Sequence, residues 1–315
     1  MELICDRAYL PALEELVESA TTQLDVAQWE FFPSLTTNAL VPILGDAVDR
    51  GVHVRLLLDE AIEENEQAID WFQGAGIDAR LDNSSNHKVH AKLLIADGST
   101  ALVGSTNWSE AAIDRNQECN LLLREGGAPA YLDSWYQQVW EASDQRDSPA
   151  LEQSDGAPAT ALVNDDLLPA LVSRIEAAND SIDFTLYATY LQPDNPEAPA
   201  MQVFRALASA VGRGVEVRGV VDWSSWNPTN NESNEAAASW LSVRGVLIRW
   251  DDPSVNMHAK TFRIDEGLQV QTANISSSGF TSNHEAGAWT REEAPIADFR
   301  EWFDGLWNSG TEAPP

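Results

Sequence analysis

The order of apolar and polar positions along this chain predicts one series of elements twice. A helix of about 14 residues begins at Leu10-Pro11, with proline in the first turn, where its missing N–H costs nothing. A strand follows over residues 24–29. A second helix covers residues 38–50 and is closed by Gly51. Residues 52–58 form an apolar, β-branched run that reads as a buried strand. A hairpin comes next, then an amphipathic helix holding Trp135 and Trp140. The order returns from Leu168-Pro169. It gives a strand over 182–187, a helix over 201–213 closed by Gly214, a buried strand over 215–221, a hairpin, and a helix with Trp302 and Trp307. Strands alternating with helices predict an α/β fold with mixed β-sheets flanked by helices.

The residues repeat as well as the pattern. Leu10-Pro11-Ala12-Leu13 returns as Leu168-Pro169-Ala170-Leu171, and Arg50-Gly51-Val52 as Arg213-Gly214-Val215. Asp59 returns as Asp222, and His90-Ala91-Lys92 as His258-Ala259-Lys260. Asn107 and Glu118 return as Asn274 and Glu285. The offset drifts from 158 to 168 and settles at 167. This is a duplication: one half over residues 1–146, a linker over 147–157, a second half over 158–309, and a tail over 310–315 expected to fray. Two such halves are expected to pair about a pseudo-two-fold axis, with equivalent segments face to face. A monomer would then hold a complete site as an intramolecular pseudo-dimer.

Composition narrows the class. Hydrophobic residues make up 43% and 12 residues are Trp, so a packed core is expected rather than a disordered acidic chain. Acidic residues number 50 against 19 basic ones, a net charge of -31. Of the 19, three are lysines (88, 92 and 260), which leaves 16 arginines. Acidity spread along the whole chain, with lysine this scarce, resembles proteins that work in molar salt, where charge repulsion is screened within about 3 Å. In such a solvent the charge decides neither for nor against a nucleic-acid or phospholipid partner. No apolar run is long enough to span a membrane, and the start shows no secretory core, so a cytoplasmic location is expected. Cys5 and Cys119 are too few for a disulfide framework or a zinc site and read as free thiols.

The chemistry sits in the hairpins. The first reads His90-Ala91-Lys92, four residues, Asp97, six residues, then Gly104-Ser105-Thr106-Asn107. On a strand His90 and Lys92 share a face, because side chains alternate. The return strand brings Ser105 and Asn107 beside them. An imidazole, an ammonium and two neutral donors suit a tetrahedral oxyanion such as a phosphodiester. The second hairpin repeats His258, Lys260, Asp265, Thr272 and Asn274, with Gln271 where Gly104 stands and a turn one residue shorter. Threonine keeps the hydroxyl; glutamine adds bulk, which leaves open whether this half equals the first.

This pattern resembles the phospholipase D superfamily, whose mark is His-x-Lys, four residues, Asp, six residues, Gly-Ser-x-Asn. The resemblance covers both halves. It implies a metal-independent site at their interface, with no cofactor, in which one histidine attacks phosphorus to form a phosphohistidine. The other histidine protonates the leaving oxygen and then activates water or an alcohol. Carried over, the pair is His90 and His258, with His90 the expected nucleophile because its half is less altered. Lys92, Lys260, Asn107 and Asn274 would hold the phosphoryl oxygens, with Ser105 and Thr272 beside them. The family's acidic residue behind each histidine is expected in Asn116-Gln117-Glu118 and Asn283-His284-Glu285. A histidine's ordinary pKa of about 6.5 would let one ring be neutral and the other charged.

Other residues divide between structure and substrate. Asp97 and Asp265 are expected to bond backbone N–H groups of their own turns. His87, Lys88 and His284 flank the motifs, and Trp223 and Trp226 could stack on a base or cover a head group. Trp108 is expected to wall the pocket, and the tryptophans of the paired helices to pack in the core. Asp59 and Asp222 stand at matching strand ends. The expected substrate is a phosphodiester, with a nuclease slightly favoured. A phospholipase D or cardiolipin-synthase-like hydrolase or transferase is the alternative, and a phosphate-binding module with a decayed second motif is a further one.

Overall fold

A computed structural model of the chain describes residues 1–84, 86–124, 126–153 and 157–315. Part of the expected linker, residues 154–156, lies outside the described residues. The strands of the first half are β1 (Glu2–Cys5), β2 (Gln23–Gln28), β3 (His53–Leu58), β4 (Asp78–Leu81), β5 (Lys92–Ala96), β6 (Thr100–Gly104) and β7 (Cys119–Arg124). Those of the second are β8 (Ala159–Val163), β9 (Ser181–Leu186), β10 (Glu216–Val221), β11 (Leu247–Trp250), β12 (Thr261–Ile264), β13 (Gly267–Gln271) and β14 (Ala286–Thr290). They form two seven-stranded sheets, ordered β1-β7-β6-β5-β2-β3-β4 and β11-β10-β9-β12-β13-β14-β8. Read from β8 back to β11, the second order matches the first position for position. In each sheet β2-β3-β4 or β9-β10-β11 run parallel and the other pairs antiparallel. The mixed, duplicated α/β fold expected from the sequence is the fold found.

The central strands are covered on both faces, which is why they are almost continuously apolar. Every residue of β5 is buried, and β3 is buried after its first residue. The predicted helices are present over Tyr9–Ser19, Leu40–Asp49, Gly127–Glu141, Leu167–Ala177, Pro199–Gly212 and Glu293–Ser309. Two further helices, Glu63–Gly74 and Pro228–Ser242, had no strong apolar stripe to announce them. One hydrophobic core lies under the outer helices of each half, and a third is shared. The shared core takes Val103 and Leu121 from the first sheet, and Val270 and Ala286 from the second. Trp135 and Phe299, from the last helix of each half, pack into it as well. Those two helices cross over: Gly127–Glu141 packs on β8 and Glu293–Ser309 on β1. The end of the chain is tied down at Thr311, which bridges to Trp250 through two backbone hydrogen bonds.

One expectation is overturned. Cys5 and Cys119 are not free thiols but a disulfide, with Cα atoms 4.3 Å apart. The antiparallel register of β1 on β7 sets them directly opposite each other. The bond closes a loop of 114 residues, so it restricts the unfolded chain over most of the first half. Reduction, or Cys5→Ser, is expected to lower stability by about 2–4 kcal/mol. Denaturant titration with and without reductant, at one salt concentration, measures this.

Candidate active site

Each histidine stands just ahead of a central strand, where the backbone leaves its own sheet and joins the other half. Val89 bridges to His284 and Met257 to Gln117. His90 N donates to His284 O at 3.0 Å, and His258 N to Gln117 O at 2.9 Å. The residue after each of those acceptors is a glutamate. His90 Nδ1 therefore meets Glu285 at 2.8 and 3.0 Å, and His258 Nδ1 meets Glu118 at 2.9 and 3.0 Å. In both cases the carboxylate comes from the opposite half. Asp6 and Asn164, left-handed at φ 53° and 46°, clamp the backbone of Glu118 and Glu285. Asn116 and Asn283 donate a side-chain N–H to the same carboxylates. A proton on Nδ1 facing the carboxylate leaves Nε2 with its lone pair.

His90, His258, Asn107 and Asn274 line one cavity of about 380 Å³. The amide oxygens of both asparagines are buried and lack a hydrogen-bond partner. Buried polar atoms are seldom left so, and a donor group on a bound ligand would complete their bonding. Burial pushes both histidines down to about 4, and the nearby lysines add to this while the glutamates oppose it. Both shifts favour the neutral form of the ring in this cavity. Glu285 is held below the usual carboxylate range: its opposition to burial comes from His90, Lys92 and the Thr272 hydroxyl.

The lysines are in the cluster but not in the cavity wall. Lys92 Nζ donates to His90 O at 2.6 Å, and Lys260 Nζ to His258 O at 2.5 Å. They lie 5.4 and 5.0 Å from the ring centres of Trp29 and Tyr187. The same two rings sit 5.1 and 4.5 Å from His90 and His258. Burial pulls the lysines down to about 8 and about 7.

Several predicted residues lie elsewhere. Ser105 Oγ bonds the backbone of Cys119, and Thr272 Oγ1 donates to Glu285, so neither hydroxyl faces the cavity. Asp97 and Asp265, left-handed at φ 51° and 48°, bond not their own turns but the chain entering the neighbouring strand of the sheet, β2 or β9. Asp97 accepts from the N–H groups of Thr21, Thr22 and Gln23, and Asp265 from those of Asn179, Asp180 and Ser181. Trp108 is wholly buried against Phe31 and Phe72, its N–H given to Tyr9, because so large an apolar ring packs in the core. His87 and His284 bond the carbonyls of Ser282 and Ser143. Trp223 packs on Trp250. Trp226 is exposed, and none of these rim candidates lines the cavity.

A family model described as the cardiolipin synthase, PLD-like domain matches residues 13–140 and again residues 171–307. The chain belongs to the phospholipase D-like family. Phospholipase D Z of Dictyostelium discoideum is 24% identical over 95% of this chain and 85% of its own length. The mitochondrial cardiolipin hydrolase of Chlamydomonas reinhardtii is 30% identical over 39% of this chain, and the match spans about half, 53%, of that relative. Phosphatidylserine synthase of Haemophilus influenzae Rd KW20 has the same fold at 10% identity, with a TM-score of 0.72 over 98% of this chain and 86% of that one.

Within this phospholipase D-like frame the departure at Gln271 has a physical account. A Cβ on Gly104 would strike Cys119 O and Asn120. Gly104 pairs with Asn120 across β6 and β7, whereas Gln271 pairs with Gly287 across β13 and β14. The bulky amide has changed strands. Asn120 Nδ2 donates to Thr106 Oγ1 and Gln271 Nε2 to Ala273 O, so each amide ties down the residue before a site asparagine. The glutamine is therefore no obstacle to the second motif.

Sequence reasoning passed over Trp29, Glu30, Phe32 and Tyr187, all of which line the cavity. Trp29 and Tyr187 could have been found, since they end equivalent strands of the repeat. Glu285→Gln removes the carboxylate that favours the charged form of His90. The His90 titration is expected to fall below about 4 while that of His258 stays near its value, as read by NMR of the ring protons.

Proposed function

We propose that this protein is a phosphodiesterase that works through a phosphohistidine, with a phospholipid head group as its substrate. The observation that carries this is the pair of imidazoles, each backed by a carboxylate from the other half and both lining one cavity. His90 Nε2 attacks phosphorus, a P–N bond forms, and the P–O bond to the leaving alcohol breaks. His258 supplies the proton to that oxygen. Burial favours its neutral form, and a bound phosphate anion beside it would favour the charged one, so substrate and proton arrive together. His258 then takes a proton from water or an acceptor alcohol, which attacks phosphorus and frees His90. Lys92 and Lys260 provide positive potential beneath the rings, and Asn107 and Asn274 bond the phosphoryl oxygens. Glu285, held ionised, supports the positive phosphohistidine on His90.

Head-group chemistry is favoured over nucleic acid by the cavity walls. They are compact and carry Trp29, Phe32 and Tyr187, with no lysine or arginine among the lining residues to track a nucleic-acid backbone. The names of the relatives, a cardiolipin hydrolase and a phospholipase D, support the same choice. Among the described residues no helix is long and apolar enough to cross a membrane, so the substrate would be met at a lipid surface.

The purified protein, in molar KCl to suit its acidic surface, should turn over phospholipid vesicles in the presence of EDTA and leave labelled DNA and RNA intact. His90→Ala and His258→Ala should each cost on the order of 10³-fold or more in kcat. Acid-labile label should appear on His90 and persist longest in His258→Ala. Cleavage of nucleic acid with lipid untouched would return the nuclease reading. Binding with no adduct and no turnover would make this a phosphate-binding module.

A further inference from the structure

We infer that Glu30 reads the alcohol arm of the substrate and selects a phosphodiester whose alcohol carries a primary ammonium group. This rests on the phosphodiester reading above and names its substrate class. Among the residues that line the cavity, Glu30 is the only carboxylate. The repeat that matches Trp29 with Tyr187 puts Ala188 in its place, so the second half has no equivalent. The groups present twice face a phosphorus centre that both halves meet alike. A group present once breaks that symmetry, as the two unlike ester arms of a phospholipid do.

The electrostatics limit what this group can meet. Glu30 is 8% exposed, and Ser109 lines the same cavity. Burial pushes it up to about 7. Lys92 and Lys260 favour its ionisation, Glu118 opposes it, and His90 and His258 share the cavity as neutral rings. An ionised carboxylate beside an anionic diester costs binding unless a cation or donor stands between them. An ammonium on a short alcohol does so, and Trp29 and Phe32 in the same wall add aromatic surface that attracts a cation.

The test is binding, which does not depend on turnover. Phosphoethanolamine and ethyl phosphate share the phosphate and differ by the ammonium. Calorimetry in molar KCl should show phosphoethanolamine binding about tenfold or more tighter to the wild type. That ratio, corrected for the separately measured phosphate titration of each ligand, should grow as pH rises through about 7, where Glu30 ionises. In Glu30→Gln and Glu30→Ala the ratio should fall near unity and lose its pH dependence. A wild-type ratio near unity, or a ratio kept in both variants, overturns the inference. So does equal, Glu30-dependent binding of glycerol 3-phosphate, which would assign the carboxylate to a hydroxyl. Absence of turnover with a Glu30-dependent ratio intact would sink the catalytic reading and leave this one standing.

Discussion

The hydrogen bond between each histidine and a carboxylate of the opposite half is the constraint around which the molecule is arranged. It cannot form within one half. Each bond needs the two sheets in register, and that register is fixed by backbone bridges one residue away on each side, Val89 to His284 and Met257 to Gln117. Imidazole and carboxylate are both withdrawn from water, where a carboxylate without its partner would be costly. The shared apolar core, the crossed-over helices and the clamps at Asp6 and Asn164 all act to keep that distance near 3 Å.

Burial has a second consequence. It pulls both histidines down to about 4 and the lysines only to about 8 and about 7, so the positive charge near neutral pH rests on the lysines rather than on the imidazoles. Such a site gains charge when an anion enters, because the anion favours the protonated forms. In a chain of net charge -31 this matters. Charge that arises there lies beneath the surface, where salt screens it least.

Duplication supplied two equal sets of parts, and divergence since then has been compensated locally. The exchange of Gly104 and Asn120 for Gln271 and Gly287 keeps one amide in one gap while swapping the strand that bears it. A similar economy holds at Trp29 and Tyr187, different rings that fill the same place between histidine and lysine. Glu30 has no such counterpart: Ala188 stands in its place in the second half.

Local sequence determined a great deal here. The element order, the doubling of the chain, the two His-x-Lys motifs and the choice of phosphodiester chemistry all follow from periodicity and from residues within a few positions of one another. Tertiary structure alone decided the partnerships across long separations. Glu285 lies 195 residues from His90, Glu118 lies 140 from His258, and Cys119 lies 114 from Cys5. It also turned Ser105 and Thr272 from the cavity to their neighbours, and buried Trp108. The reason is physical: a motif fixes which groups are present, but the register of one sheet on another fixes which of them meet.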